Sequence, residues 1–118
     1  MGRLTTHVLD TTHGCPAAEL SISLYRVDRD GNRHLQLETV TNDDGRCERP
    51  LLAGLEFNVG RYELAFAVGA YFCKRGVALG DPAFLDEVVV RFGVDDSDRH
   101  YHVPLLVSPY GYSTYRGS

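Results

Sequence analysis

The sequence has no long apolar run and no surplus of positive charge. None of its hydrophobic stretches approaches the ~18 consecutive apolar residues that a membrane-spanning helix needs. It contains 12 Lys and Arg against 16 Asp and Glu, a formal net charge of -4 at pH 7. Its tyrosines are not interleaved with a basic stripe, the usual footprint of a nucleic-acid-binding surface. These absences argue against a membrane protein and against a nucleic-acid-binding protein.

Paired cysteines are also missing. Cys15, Cys47 and Cys73 are odd in number, lie far apart and form no C-x-x-C motif. They therefore make neither a disulfide framework nor a thiolate zinc site. The first six residues, MGRLTT, lack the apolar core of a secretion signal. We expect reduced thiols and a cytoplasmic protein.

Motifs for nucleophilic, phosphate and metal chemistry are absent as well. There is no G-x-S-x-G nucleophile elbow and no glycine-rich phosphate loop. The acidic turn at 28–32 lacks the downstream glutamate of a calcium loop, so a hairpin turn explains it. His100 and His102, with a third histidine elsewhere, have the spacing of a zinc site, but this spacing is common by chance in strands. We expect no metal and no cofactor.

What the sequence does contain is a period of two. Apolar and polar residues alternate in five runs, at 20–25, 35–38, 62–68, 88–94 and 101–107. Such alternation predicts half-buried strands, and turn residues such as Asp30-Gly31 and Asp44-Gly45 separate the runs. Only residues 70–79 favour a short helix, limited by Gly76. Residues 1–118 are therefore predicted to form a single all-β domain, a sandwich or a barrel.

Histidines and one arginine are the side chains best suited to carry chemistry. His100 and His102 are two residues apart on a predicted strand, so they point to the same face. His7 lies in a strand-like run near the N-terminus. Arg46 follows a tight turn, where it is either solvated or held firmly enough to clamp a planar or anionic ligand. Composition alone does not decide between these two readings of Arg46.

Other features of the sequence bear on packing. Pro104 cannot donate a hydrogen bond to a ladder, so its strand is predicted to be an edge strand or to be bulged there. Residues 108–118 carry three tyrosines and little charge, and we expect this tail to dock on its own sheet or on another subunit. His13 and His34 are interpreted as ordinary surface or hydrogen-bonded histidines.

Two segments resemble the signatures of the transthyretin family. The N-terminal one is HVLDTTHGCPAAELSI at 7–22, and the C-terminal one is YHVPLLVSPYGYSTYRGS at 101–118. The closing tetrapeptide YRGS resembles the ending of the family's enzymatic branch, the 5-hydroxyisourate hydrolases. Shorter matches follow in family order, namely TNDDGR at 41–46, YEL at 62–64 and FLD at 84–86. The resemblance therefore spans nearly the whole chain.

This resemblance implies a transthyretin-like two-sheet β-sandwich of about eight strands with one short helix. It implies a homotetramer with active sites in a channel at the dimer–dimer interface. The implied reaction opens the ring of 5-hydroxyisourate to 2-oxo-4-hydroxy-4-carboxy-5-ureidoimidazoline, a step of urate degradation in purine metabolism. By motif, His7, Arg46 and His102 fall on catalytic positions, and Tyr115 and Ser118 join His7 and Arg46 as substrate contacts.

The alternative is a carrier of small hormone-type ligands without catalysis, as in the other branch of the family. That branch lacks the histidine pair and the tetrapeptide. The hydrolytic reading suits the residue types, because ring opening of a cyclic amide needs an activated water and a charge for the developing oxyanion. Histidine, with an ordinary pKa of about 6.5, serves as a general base near neutral pH. The sequence leaves open which of His7 and His102 is that base.

Overall fold

The computed structural model describes residues 1–117 and arranges their strands in two sheets. In this part of the chain there are nine strands, one short α-helix and one 3-10 turn. The strands are β1 (Arg3–Asp10), β2 (Cys15–Pro16), β3 (Ser21–Val27), β4 (Arg33–Val40), β5 (Leu52–Ala53), β6 (Gly60–Phe66), β7 (Val88–Val94), β8 (His100–Ser108) and β9 (Gly111–Thr114). The 3-10 turn is Gly54–Glu56, and the helix α1 is Val68–Lys74. The predicted all-β, two-sheet fold with one short helix is confirmed.

The first sheet has the order β2–β1–β8–β9, and β5 also pairs with β1. The second sheet has the order β4–β3–β6–β7. Strands β1 and β8 are parallel, in continuous register from Arg3↔His100 to Asp10↔Val107. The other pairs among the described strands are antiparallel. The site described below depends on the parallel pair, because it joins two segments far apart in the sequence.

The core lies between the two sheets. Leu4 and Val8 of β1, Leu105 of β8, and Leu24 and Leu64 of the second sheet are fully buried. Burying one such side chain contributes about 1.5–3 kcal/mol relative to leaving it exposed. Side chains alternate along a strand. The residues next to these core residues in the same strand therefore point to the outer face of the sheet.

Pro104 lies in the middle of the first sheet, so the predicted edge position is wrong. The β8–β9 ladder ends at Leu105↔Thr114, and pairing resumes at the isolated bridge His102↔Gly117. The proline, which has no N–H to donate, therefore lies where the ladder is already interrupted. The Oγ1 hydroxyl of Thr114 donates a hydrogen bond to the Pro104 carbonyl oxygen at 2.7 Å across this gap.

The local elements follow the turn and helix signals with small differences. Gly31, at φ 86°, lies in the hairpin between β3 and β4, as predicted. Helix α1 begins at Val68, two residues before the predicted start, and ends at Lys74 before Gly76, which has φ 82°. No helix in residues 1–117 is both long enough and apolar enough to cross a membrane.

Candidate active site

The outer face of the first sheet brings together side chains from both ends of the sequence. His7 and Thr5 of β1 alternate with buried neighbours, and so does His102 of β8. Thr5 pairs with His102, and His7 pairs with Pro104 in the next register position on this face. The parallel register therefore places the two histidines near each other on adjacent strands, although 94 residues separate them in the sequence.

A tight turn places Arg46 beside His7. The Asn42 side-chain oxygen accepts hydrogen bonds from the backbone N–H of Asp44 at 2.9 Å and of Arg46 at 3.1 Å. Gly45 adopts φ 73°, a left-handed conformation that favours glycine, and its carbonyl accepts from the Val8 N–H at 2.8 Å.

Glycine is also required at position 45 by the space available. A Cβ there would lie 2.4 Å from the Val8 carbonyl oxygen. This close approach lets Arg46 form an isolated antiparallel bridge with His7. The turn predicted at Asp44-Gly45 thus joins the site to β1 and does not connect two neighbouring strands.

The surroundings of His7 and His102 favour the neutral form of both imidazoles. Burial lowers the pKa of His7, and the charge of Arg46 lowers it further, against a smaller opposing effect of Asp44. Burial also lowers the pKa of His102, followed by the charges of Arg46, His7 and His100. Neutral imidazoles can accept a proton at neutral pH, so the face presents two bases beside a fixed cation.

The C-terminal tail contacts β8 next to His102. The Gly117 N–H donates to the His102 carbonyl oxygen at 2.7 Å. The Arg116 guanidinium lies 4.0 Å from the centre of the Tyr101 ring. Tyr115 is 61% exposed. The tail was predicted to dock on its own sheet or on another subunit; its backbone pairs with its own sheet, whereas Tyr115 projects from the surface.

Two polar hollows border these residues. The first, of about 460 Å³, is lined by Thr5, Arg46 and His102 among others, and we call it the histidine hollow. The second, of about 770 Å³, is lined by His102, Tyr115 and residues around them, and we call it the tail hollow. His102 thus borders both, while His7 lies beside them without lining either.

An apolar groove of about 720 Å³ lies elsewhere, along β6, β7 and the tail. Phe92, Val103 and Tyr115 are among the residues that line it. His7, His102 and Arg46 do not line it. We assign the chemistry to the polar hollows, because they border His102, whose pKa is lowered, and Arg46, whose charge lowers the pKa of both site histidines.

The predicted site residues fall into three groups. His7, Arg46 and His102 come together on the outer face, as described above. Tyr115 lines the tail hollow together with His102. Ser118 lies outside the described residues. In residues 1–117, no group of three or more His, Cys, Asp or Glu side chains is arranged to hold a metal ion.

The other histidines have different surroundings. His34 hydrogen-bonds Asp28 at 2.8 Å in the exposed β3–β4 hairpin. His13 lies against Asp10 at the far end of β1. His100 lies on the site face and contacts the Arg3 side chain.

Thr5 is the residue of this face that the sequence analysis missed. Its hydroxyl contacts the His102 ring. The only available signal was its position two residues before His7, because the pairing of β1 with β8 is not visible in the sequence.

Comparison with known proteins places this geometry in a family. A family model described as the HIUase/Transthyretin family matches residues 4–117. The chain is 58% identical over 120 residues to the 5-hydroxyisourate hydrolase of Pseudomonas aeruginosa, covering 100% of this chain and 93% of that protein.

Two solved structures are similar to this chain over nearly all of its length. The crystal structure of (S)-allantoin synthase matches with a TM-score of 0.93 at 53% identity, covering 99% of this chain and 44% of that one. The chain thus spans less than half the length of that protein. Sea bream transthyretin in complex with thyroxine matches with a TM-score of 0.87 at 27% identity, covering 98% of this chain and 94% of that one. The match of the family model over nearly the whole described chain shows that this protein belongs to the HIUase/Transthyretin family.

Proposed function

We propose that this chain catalyses the hydrolysis of 5-hydroxyisourate to 2-oxo-4-hydroxy-4-carboxy-5-ureidoimidazoline, a step of urate degradation. The observation that carries the proposal is the convergence of His7, Arg46 and His102 on one face, with the pKa of both imidazoles lowered. The similarity to the Pseudomonas aeruginosa hydrolase over the whole chain supports the choice of substrate.

In the proposed mechanism, one neutral imidazole accepts a proton from water, and the resulting hydroxide adds to the carbonyl carbon of a cyclic amide bond. The negative charge that develops on the carbonyl oxygen is stabilised by the Arg46 guanidinium, a charge already in place before the reaction. The C–N bond then breaks, and the imidazolium returns its proton to the leaving nitrogen. His7 and His102 divide the roles of base and orienting group, and the cycle consumes one water without a metal or a cofactor.

We further propose that a single domain of residues 1–118 assembles as a homotetramer, with the sites at the dimer–dimer interface and with Tyr115 and Ser118 as substrate contacts. Tyr115 supports this arrangement, because a large aromatic side chain that is 61% exposed gains most by packing against a second subunit. The cytoplasm is the proposed compartment, since a reducing environment suits the free Cys15, Cys47 and Cys73.

The competing function is that of a ligand carrier. It draws on the similarity to sea bream transthyretin, whose solved structure contains thyroxine. The pair of histidines beside Arg46 speaks for the hydrolase, because an apolar carrier channel has no use for two neutral bases and a fixed cation.

The deciding experiment follows the ultraviolet absorbance of freshly made 5-hydroxyisourate with and without the protein. We expect the protein to accelerate the loss of absorbance, and we expect EDTA treatment to leave the rate unchanged. Activity that EDTA removes and Zn²⁺ restores would overturn the metal-free mechanism. An unchanged spontaneous rate, together with saturable binding of thyroxine, would favour the carrier.

A further inference from the structure

The His102 imidazole is held by a hydroxyl from the neighbouring strand. Thr5 Oγ1 and His102 Nδ1 are 2.8 Å apart, a normal hydrogen-bond distance. The two residues occupy paired positions in the parallel register of β1 and β8, so their side chains leave the sheet side by side. Both are half-buried.

The opposite side of the ring is also confined. A Cβ built on Gly117 would lie 2.8 Å from His102 Cδ2, so the tail backbone packs directly against the imidazole. With Nδ1 engaged by Thr5, Nε2 is the ring nitrogen that remains for water or substrate. The hydrogen bond and the tail together restrict the ring to one orientation.

The nature of the partner matters as much as its position. A carboxylate at Nδ1 would stabilise the imidazolium and hold the proton. A threonine hydroxyl carries no charge and can either donate to the ring nitrogen or accept from it. The charged and titratable groups that act on His102 are Arg46, His7 and His100, and each of them opposes protonation. The hydroxyl therefore orients the ring without adding negative charge to it.

We propose that Thr5 is a positioning residue for the hydrolysis, and that its hydroxyl orients the His102 ring through Nδ1 so that Nε2 is presented to the substrate or to the attacking water. This inference rests on the proposed function of His102. It assigns to β1 a second contribution to the site besides His7.

The test compares Thr5→Val, which keeps the β-branched shape and removes the hydroxyl, with Thr5→Ser, which keeps the hydroxyl. Losing one neutral hydrogen bond predicts a fall in kcat/KM of about tenfold for Thr5→Val, carried by kcat with KM little changed. Thr5→Ser should remain within about twofold of wild type, since it retains the hydrogen bond. The matched control is Thr11→Val, which removes a hydroxyl that donates to the Val107 carbonyl oxygen at 3.1 Å, away from both polar hollows.

A second measurement follows the ring directly. The NMR signals of the His102 ring nitrogens, assigned by their loss in His102→Ala, should change position and titrate at a different pH in Thr5→Val. They should match wild type in Thr5→Ser and in Thr11→Val. This readout separates positioning of the ring from a loss of folding, which would alter signals throughout the spectrum.

Two results would overturn the inference. One is a Thr5→Val variant with wild-type turnover and unchanged His102 ring signals. The other is a Thr5→Ser variant as impaired as Thr5→Val, because that would assign the effect to the methyl group. A wild-type protein without hydrolase activity would instead refute the proposed function, and the NMR comparison would still decide whether Thr5 controls the state of the ring.

Discussion

His7 lies within β1, on the outer face beside Arg46, whereas His13, three residues beyond the end of the strand, is paired with Asp10. The charge that acts most strongly on His7 is the Arg46 cation, whereas the charged partner of His13 is the Asp10 carboxylate. Burial and then the Arg46 charge lower the pKa of His7, which favours the neutral imidazole that can accept a proton. Beside His13, a carboxylate engages Nδ1 of the ring.

The Asp10 end of β1 is built for stability. The Asp10 side chain is fully buried and accepts hydrogen bonds from the Tyr71 hydroxyl at 2.7 Å and from the His13 N–H at 3.0 Å. Burial alone would raise the pKa of Asp10, but the hydrogen bonds from His13 and Tyr71 outweigh it and the net shift is downward. Burial and the bond to Asp10 raise the pKa of Tyr71 to about 12. Because Tyr71 belongs to α1, this cluster fastens the helix to the first sheet.

Two histidines close together in the chain therefore have very different surroundings. A general base needs neighbours that favour the neutral ring, which burial and the Arg46 charge supply at His7. A substitution at His7 should therefore change turnover with little effect on folding, and a substitution in the Asp10 cluster should change stability with little effect on turnover.

The largest effect is expected from the tail. Deleting residues 115–118 removes Tyr115 and the Gly117 contact to His102, while β9 keeps its pairing with β8. We expect the loss of measurable turnover in a protein whose circular dichroism remains that of a folded β protein. A bulky C-terminal tag should impair activity, whereas a tag before the exposed Met1 is the control. Light scattering on the intact chain should report a tetramer, and a fully active truncation or an active monomer would refute the shared site.

The next largest effect concerns the three converging side chains. His7→Ala, His102→Ala and Arg46→Ala should each lower kcat/KM by at least ~100-fold, the usual scale for losing a general base or a charge stabiliser. Their unfolding midpoints in urea should stay close to wild type, because the three groups lie outside the core. His34→Ala, in the exposed hairpin, is the control. Equal losses in the control and the three variants would show the assignment to be wrong.

A smaller effect, on stability alone, is expected at Asp10, the last residue of β1. Tyr71→Phe removes a hydrogen bond to a buried carboxylate and should lower the free energy of unfolding by about 1.5–3 kcal/mol. Urea denaturation measures this, with Tyr110→Phe as the control because Tyr110 is largely exposed. A Tyr71→Phe variant of wild-type stability and reduced turnover would contradict the structural role assigned to the Asp10 cluster.

The smallest effect is a shift in pH dependence. Since the folded protein lowers the pKa of His7 and His102 below 6.5, the acid limb of kcat/KM should lie below pH 6.5. In Arg46→Ala, the acid limb of the residual activity should move to higher pH, because the Arg46 charge that lowers the pKa of both His7 and His102 is gone. An acid limb that stays in place in Arg46→Ala would contradict the electrostatic coupling.

The stability that Asp10 contributes also depends on pH, but over a lower range. Its folded-state pKa lies below the ordinary value of 3.8, so its contribution to stability is present above that value. The contribution is lost as the pH falls through the lower folded-state pKa. The activity should therefore disappear on acidification before the stability that Asp10 supplies does.

Much of this fold could be read from the sequence, because alternation of apolar and polar residues predicts strands, although Leu35 of β4 is 52% exposed. The five alternating runs correspond to β3, β4, β6, β7 and β8. The turn that carries Arg46 was also visible, since Asp44-Gly45 is a strong turn signal and Gly45 has φ 73°. The family match confirms the resemblance drawn from the two terminal signatures.

The partners of each strand could not be read in the same way. Alternation shows that His102 faces outward, but it says nothing about which strand lies beside β8. The pairing of Thr5 with His102 joins residues 97 positions apart, and only the assembled sheet reveals it. The edge position predicted for Pro104 was wrong for the same reason. A proline in the sequence shows that an N–H donor is missing, but it does not show whether a neighbouring strand needs a hydrogen bond from that position.

The parallel pairing of β1 with β8 also has a consequence for the order of events during folding. Contacts between segments this distant in the chain cost more loop-closure entropy than hairpin contacts do, so they tend to form late. The β3–β4 hairpin can form locally, yet His7 and His102 meet only when the first long strand and the last long strand have closed on each other. A chain still emerging from the ribosome holds one half of the proposed active site long before the other half is available, so we expect enzymatic activity to be among the last properties it acquires.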